Sequence, residues 1–150
     1  MTPDEIRATL NKIVTQAKEA TETNGTRCVY AAGSTADSVI ITFESRVTAD
    51  DFARRQAALG ARLGGTTDLS GSGFSAYTFT STAADAQVTS LITLIGGTQV
   101  GVTSSATLDQ EEALTKKIYA SLATSASSDP GAASSTTSVP TPARPAGVAP

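Results

Sequence analysis

Histidine is absent from this chain of 150 residues, and Cys28 is its single cysteine. No imidazole can activate a serine or cysteine nucleophile, no standard zinc set can assemble, and no internal disulfide can form. Carboxylates are what remains for chemistry. Asp50-Asp51 is one candidate group, and Asp109, Glu111 and Glu112 are another. Paired acids can do acid–base work or hold a metal. These acids, however, stand at predicted helix starts, where the macrodipole alone favours anions. Neighbours on one turn do not converge on a substrate. They are read as helix-start acids, and the chain as non-enzymatic, with no cofactor and no metal.

Other groups invite a functional reading that the order of the chain argues against. Gly71-Ser72-Gly73 looks like a phosphate loop, but it leaves a predicted helix and enters a strand. A phosphate cradle runs the other way, from strand to helix N-terminus. Cys28 alternates with Tyr30, so if Tyr30 faces the core, Cys28 does too, and Arg27 points away; a buried thiol is a small hydrophobe. Arg54, Arg55 and Arg62, with Lys116 and Lys117, make at most a weak anion patch and read as solvated helix faces. Asn24-Gly25-Thr26 has the form of a glycosylation sequon, but Asn-Gly is also the strongest short hairpin signal. A candidate partner surface is left: Tyr30 and Tyr77, with Asp68 and Ser72 of the Gly64–Gly73 loop. Tyrosines pair an apolar ring with a polar tip, which suits binding surfaces. Tyr119 is the third residue of this kind.

These groups must be positioned by the elements around them. Thr2-Pro3-Asp4-Glu5 opens a helix with a capping box, and Ile6, Leu10 and Ile13 form its apolar stripe. Residues 14–22 are open to two readings: Gln, Ala, Lys and Glu could continue the helix, while the Asn24-Gly25 signal between threonine-rich flanks favours strands at 14–22 and 26–32 joined by that turn. Residues 38–45 are β-branched and alternate, with Val39, Ile41 and Phe43 to one side. Thr48 caps a second helix whose stripe is Phe52, Gln56, Leu59 and Leu63, ended by Gly64-Gly65. Strands follow at 74–80, 88–95 and 98–104, the last two turning at Gly96-Gly97. A third helix begins near Thr107 and carries Leu114, Ile118 and Leu122; either Thr107 with Gln110 or Asp109 with Glu112 can box its start.

Read together, 14–63 and 74–122 each run βββα. The expected fold is α+β: a predominantly antiparallel sheet with three helices on one face, a possible βββα duplication preceded by an N-terminal helix. Residues 1–123 form the domain. Residues 124–150 hold five of the six prolines and no Leu, Ile, Phe or Tyr; such a segment cannot offset its chain entropy and is predicted disordered. The hydrophobic fraction of 39% reflects that tail. The formal charge of −3 disfavours generic nucleic-acid binding, and no apolar run reaches the ~18 residues of a membrane span.

The run Cys28-Val29-Tyr30, Gly71–Gly73 before Ala76-Tyr77, and Gly96–Val102 before a final Ala/Leu helix resembles small actinobacterial lipoprotein or secreted envelope domains of unknown function. That resemblance implies a binding or scaffolding domain at the cell envelope, with no chemistry to transfer. The polar N-terminus has no signal-peptide pattern. The expected location is extracytoplasmic if a leader precedes this chain, and cytoplasmic otherwise. Two functions are expected: a non-enzymatic binding or scaffolding module for a protein or small ligand, or a cytoplasmic homodimeric adaptor pairing through a sheet edge or face. An apolar concave pocket favours the first. An uncovered sheet face or a long unpaired edge favours the second.

Overall fold

A computed structural model describes residues 1–32, 34, 37–69, 73–83 and 86–127. The elements are α1 (Pro3–Leu10), β1 (Val14–Glu22), β2 (Gly25–Ala32), β3 (Val39–Ser45), α2 (Ala49–Leu63), β4 (Thr67–Leu69), β5 (Ser75–Ala83), β6 (Ala86–Ile95), β7 (Thr98–Ser104) and α3 (Leu108–Ser127). Seven strands form one antiparallel sheet in the order β1-β2-β3-β7-β6-β5-β4. The expected α+β class holds, with the sheet dominant. Ser72 and the predicted tail beyond Ser127 lie outside the described residues. The third helix runs to Ser127, past the predicted end near Thr124.

The helix boundaries follow their caps. Thr2 and Glu5 form the predicted capping box: the Glu5 carboxylate accepts from Thr2 N–H at 2.6 Å. Asn11, in the left-handed region at φ 53°, closes α1. Thr48 caps α2 and Gly64 ends it at φ 82°. For α3, Thr107 N–H donates to Gln110 Oε1 at 3.0 Å, which selects the first of the two predicted boxes.

Both hairpins exist, for different reasons. Ile95 lies opposite Thr98, so Gly96-Gly97 is a two-residue turn with positive φ at both positions, the type I′ arrangement. At the first hairpin Glu22 lies opposite Gly25, so the turn is Thr23-Asn24 rather than Asn24-Gly25. Gly25 belongs to the strand. A Cβ placed on it would meet the Phe43 carbonyl oxygen at 1.8 Å, so glycine is required by the close approach of β3.

Register assigns the side chains to faces, since directly opposed residues share one face. One face carries Tyr30, Val39, Ile41, Leu91, Val100 and Val102. There α1 and α3 pack, adding Ile6, Leu10, Leu114 and Ile118 to a single buried cluster. The other face carries Tyr77, Phe79, Ile92 and Leu94. On it Phe52 of α2 and Val47 form a second cluster with them. The helices therefore cover both faces, not one as expected. The cause is the link after β3. Arg46 takes a left-handed φ of 62°, and Val47 N–H donates to Gly97 O at 2.9 Å, carrying the chain around the sheet end to the opposite side. The two βββα runs thus differ in which face their helix covers. The predicted loop after α2 also contains β4, the second edge strand.

The stripes shorten accordingly. Ile13 is 73% exposed, and Leu63 and Leu122 are also exposed. The buried side of α3 extends instead toward the helix start, to Glu111 three residues before Leu114.

Candidate functional site

The predicted tyrosine surface does not form. Tyr30 is 4% exposed and Tyr77 is 3% exposed, and they lie on opposite faces. The Tyr30 hydroxyl donates to Met1 O at 3.0 Å, which ties the N-terminus to the first cluster. The Tyr77 ring sits 5.1 Å from that of Phe52. Burial pushes both phenols above their ordinary range. Cys28 shares the face of Tyr30, as alternation requires, and packs half-buried against the first cluster. Burial raises its thiol pKa, with the Glu19 charge adding to the effect, so it is no activated nucleophile. The Tyr119 hydroxyl lies 3.0 Å from Thr98 O and 3.1 Å from Thr93 Oγ1, a fixed bracket between α3 and the sheet.

Asp68 does meet Tyr77, being its direct neighbour across β4 and β5. Its carboxylate accepts from Gln56 Nε2 of α2. Beside it lies a shallow recess of about 330 Å³ between α2 and the sheet, lined by Phe52, Gln56, Asp68, Leu69, Ser75 and Leu94.

The remaining charged groups are dispersed. Arg54 pairs with Asp51, and Arg55 grips Glu44 at 2.5 and 2.8 Å. Lys116 pairs with Glu112 at 3.6 Å, and Lys117 donates to Thr9 Oγ1 at 2.9 Å. Because α2 and α3 lie on opposite faces, these cations do not form one patch. Asp51 is held below the usual carboxylate range, chiefly by the Thr48 hydroxyl. Among the described residues no three potential metal ligands cluster.

Glu111 was expected at the helix start for the macrodipole. It is instead 0% exposed. The Ser104 hydroxyl donates to its Oε1 at 2.7 Å. Its Oε2, and Thr115 Oγ1 one turn on, have no partner among the described residues. Burial raises its pKa from 4.5 to about 8, against the lowering effect of Ser104. Burial thus favours its protonated form, enclosed between α3 and the sheet. Its place on the buried stripe was the signal that could have marked it.

The most open feature is β1. It is the last strand of the sheet on its side, nine residues long, and only Val14 is buried. Val14 belongs to the cluster under α1. From Thr15 onward β1 is exposed on both faces. A bulge between Val14 and Gln16 marks its start; beyond it the pairing with β2 is regular. Glu22–Gly25 closes a two-residue turn and is therefore a hydrogen-bonded pair. Alternation then points the backbone groups of Ala17, Glu19 and Thr21 outward. Among the described residues no ion pair engages Lys18, Glu19 or Glu22. At the hairpin tip a polar recess of about 620 Å³ opens between Thr21, Glu22, Thr23, Asn24, Glu44 and Arg46.

Among the described residues no helix is long and apolar enough to cross a membrane. No family model matches the chain, and neither the curated proteins nor the solved structures contain a match, so no relative bears on the resemblance to envelope domains.

Proposed function

We propose that the chain is a non-enzymatic protein-interaction module whose working surface is the outer edge of β1. One observation carries this reading: a nine-residue, proline-free edge strand, exposed on both faces beyond Val14. Such an edge presents a row of main-chain donors and acceptors that an added strand can satisfy. Main-chain bonds supply affinity, and alternate side chains supply choice. Proteins that avoid pairing shorten, twist or cap their edges. Here the bulge lies at one end only, and the regular stretch from Gln16 to Glu22 stays open. A scaffolding domain of the cell envelope, as the resemblance implies, would use such an edge in the same way.

The test is selection of binders from a library of displayed extended peptides, followed by amide hydrogen exchange on the complex. Bound peptide is expected to slow exchange at Ala17, Glu19 and Thr21. Binders that instead protect the recess around Asp68 and Phe52 would move the site to α2 and overturn the edge reading. So would a library that yields no binder to β1.

A further inference from the structure

We infer that the occupant of the β1 edge is a second copy of this chain, joined antiparallel about a two-fold axis at Ala20. The inference rests on the reading of β1 as a pairing edge and specifies its partner. A two-fold axis perpendicular to the sheet keeps each face continuous across the join. It therefore brings a residue opposite its own copy, and the neighbours pair symmetrically around it. Centring on Ala17 runs into the irregular Val14–Gln16 stretch. Centring on Thr21 runs into the Thr23-Asn24 turn.

Three centres remain, and charge separates them. At Lys18 two ammonium groups meet head-on. At Glu19 two carboxylates meet. At Ala20 the axis passes between two methyl groups, and Lys18 of each copy lies opposite Glu22 of the other. Opposite charges on directly opposed residues stabilise a strand pair, and like charges disfavour it. At this register Glu19 and Thr21 of each copy, whose backbone groups point outward, exchange main-chain bonds with Thr21 and Glu19 of the other. All three charged side chains are exposed, and none is engaged in an ion pair among the described residues. Space permits the join. Helix α1 packs at Val14, six residues from the axis, or roughly 20 Å at the rise of a strand. The α1 helices of the two copies therefore end up on opposite sides of the contact.

The experiment is sedimentation of the full chain over a micromolar-to-millimolar series, combined with cysteine scanning in a Cys28→Ala background. Dimers are expected, and A20C is expected to cross-link under mild oxidation while K18C and E19C do not. Non-hydrogen-bonded pairs bring Cβ atoms closest, which suits a disulfide. K18E and E22K should each weaken the dimer by about tenfold, since two attractive pairs become repulsive. The K18E/E22K double variant should recover it. E19P should keep the fold, because its N–H points away from β2, yet abolish the dimer. A monomer throughout would overturn the inference while leaving the peptide-binding test of β1 standing. A dimer that cross-links at Lys18 or Glu19, or ignores the charge swap, would overturn the register. A dimer unaffected by E19P would place the contact elsewhere and overturn the inference, again leaving the peptide-binding test of β1 standing.

Discussion

The two halves of the sheet have the same order of strands and very different cover. In the second half, β5, β6 and β7 lie between α3 on one face and α2 on the other, and Leu91, Thr93, Val100 and Tyr77 are all buried. In the first half, burial fades outward: Val39 and Ile41 are buried, Cys28 and Val29 are half-buried, and β1 is exposed after its first residue. Similar runs of strands are thus covered on both faces in one half, and in the other are covered at β3 and the end of β2 but exposed along β1. What differs is where the helices go: the nine-residue β1 stands exposed beyond Val14, whereas the three-residue β4 at the other border is bonded to α2 through Asp68 and Gln56.

This contrast can be broken or sharpened by mutation. The largest effect is expected at Leu114→Ala, which empties a fully buried site against Val100 and Val102. Urea unfolding should show a loss of about 2–5 kcal/mol. A loss below ~1 kcal/mol would mean that α3 does not seal this half. Gly25→Ala comes next, at about 1–3 kcal/mol, because a methyl there collides with the backbone of β3. Gly96 makes the instructive contrast, since its positive φ is its constraint and nothing lies within 4 Å of a Cβ there. Gly96→Asn should therefore cost no more than about 1 kcal/mol, as asparagine tolerates this region, while Gly25→Asn should fare no better than Gly25→Ala.

Glu111 gives a smaller effect with a distinct pH signature. Its folded pKa of about 8 lies above its ordinary 4.5. The native state therefore holds a proton that the unfolded chain releases between those values. Its contribution to stability is full below about pH 4.5, declines as pH rises, and is lost above about pH 8. Glu111→Gln mimics the neutral acid. It should raise stability at pH 8 by on the order of 1–2 kcal/mol and change little at pH 4. Chemical denaturation at the two pH values checks this, and an equal effect at both would mean that folding does not shift the Glu111 pKa. The smallest effect belongs to the open edge. Gln16→Ala, measured in dilute solution, should stay within about 0.5 kcal/mol; a larger loss would show that β1 is packed.

Much of this arrangement was legible in the residues. Thr2, Thr48 and Thr107 marked helix starts, Gly64 marked an end, and Gly96-Gly97 marked a turn through its conformational need. At 14–22 the residues left strand and helix open; the Asn-Gly signal and the threonines favoured the strand, although the turn falls one residue earlier, at Thr23-Asn24. Faces were a different matter. Whether α2 falls on the side of α3 is decided by Arg46 and by the Val47–Gly97 hydrogen bond, a long-range event with no local pattern. Tyr30 and Tyr77 were individually plausible surface residues. Only register places them on opposite faces, under α1 and α2. Asp68 was sensed through its loop, but its bond to Gln56 depends on β4 pairing with β5. Glu111 looked like any acid of a first turn, although its spacing to Leu114 and Ile118 marks the buried side.

The seam between β3 and β7 also bears on how the chain reaches this state. Every other strand pair joins neighbours in sequence, whereas β3 and β7 set Ile41 opposite Val102 and Ser45 opposite Thr98. Local hairpins close cheaply, and a contact that spans so much chain must first overcome the entropy of a long loop. Two separately formed meanders that zip along this seam would make it the rate-limiting event of folding. Substitutions at Ile41 or Val102 would then slow folding itself, while those in the outer hairpins would mainly hasten unfolding.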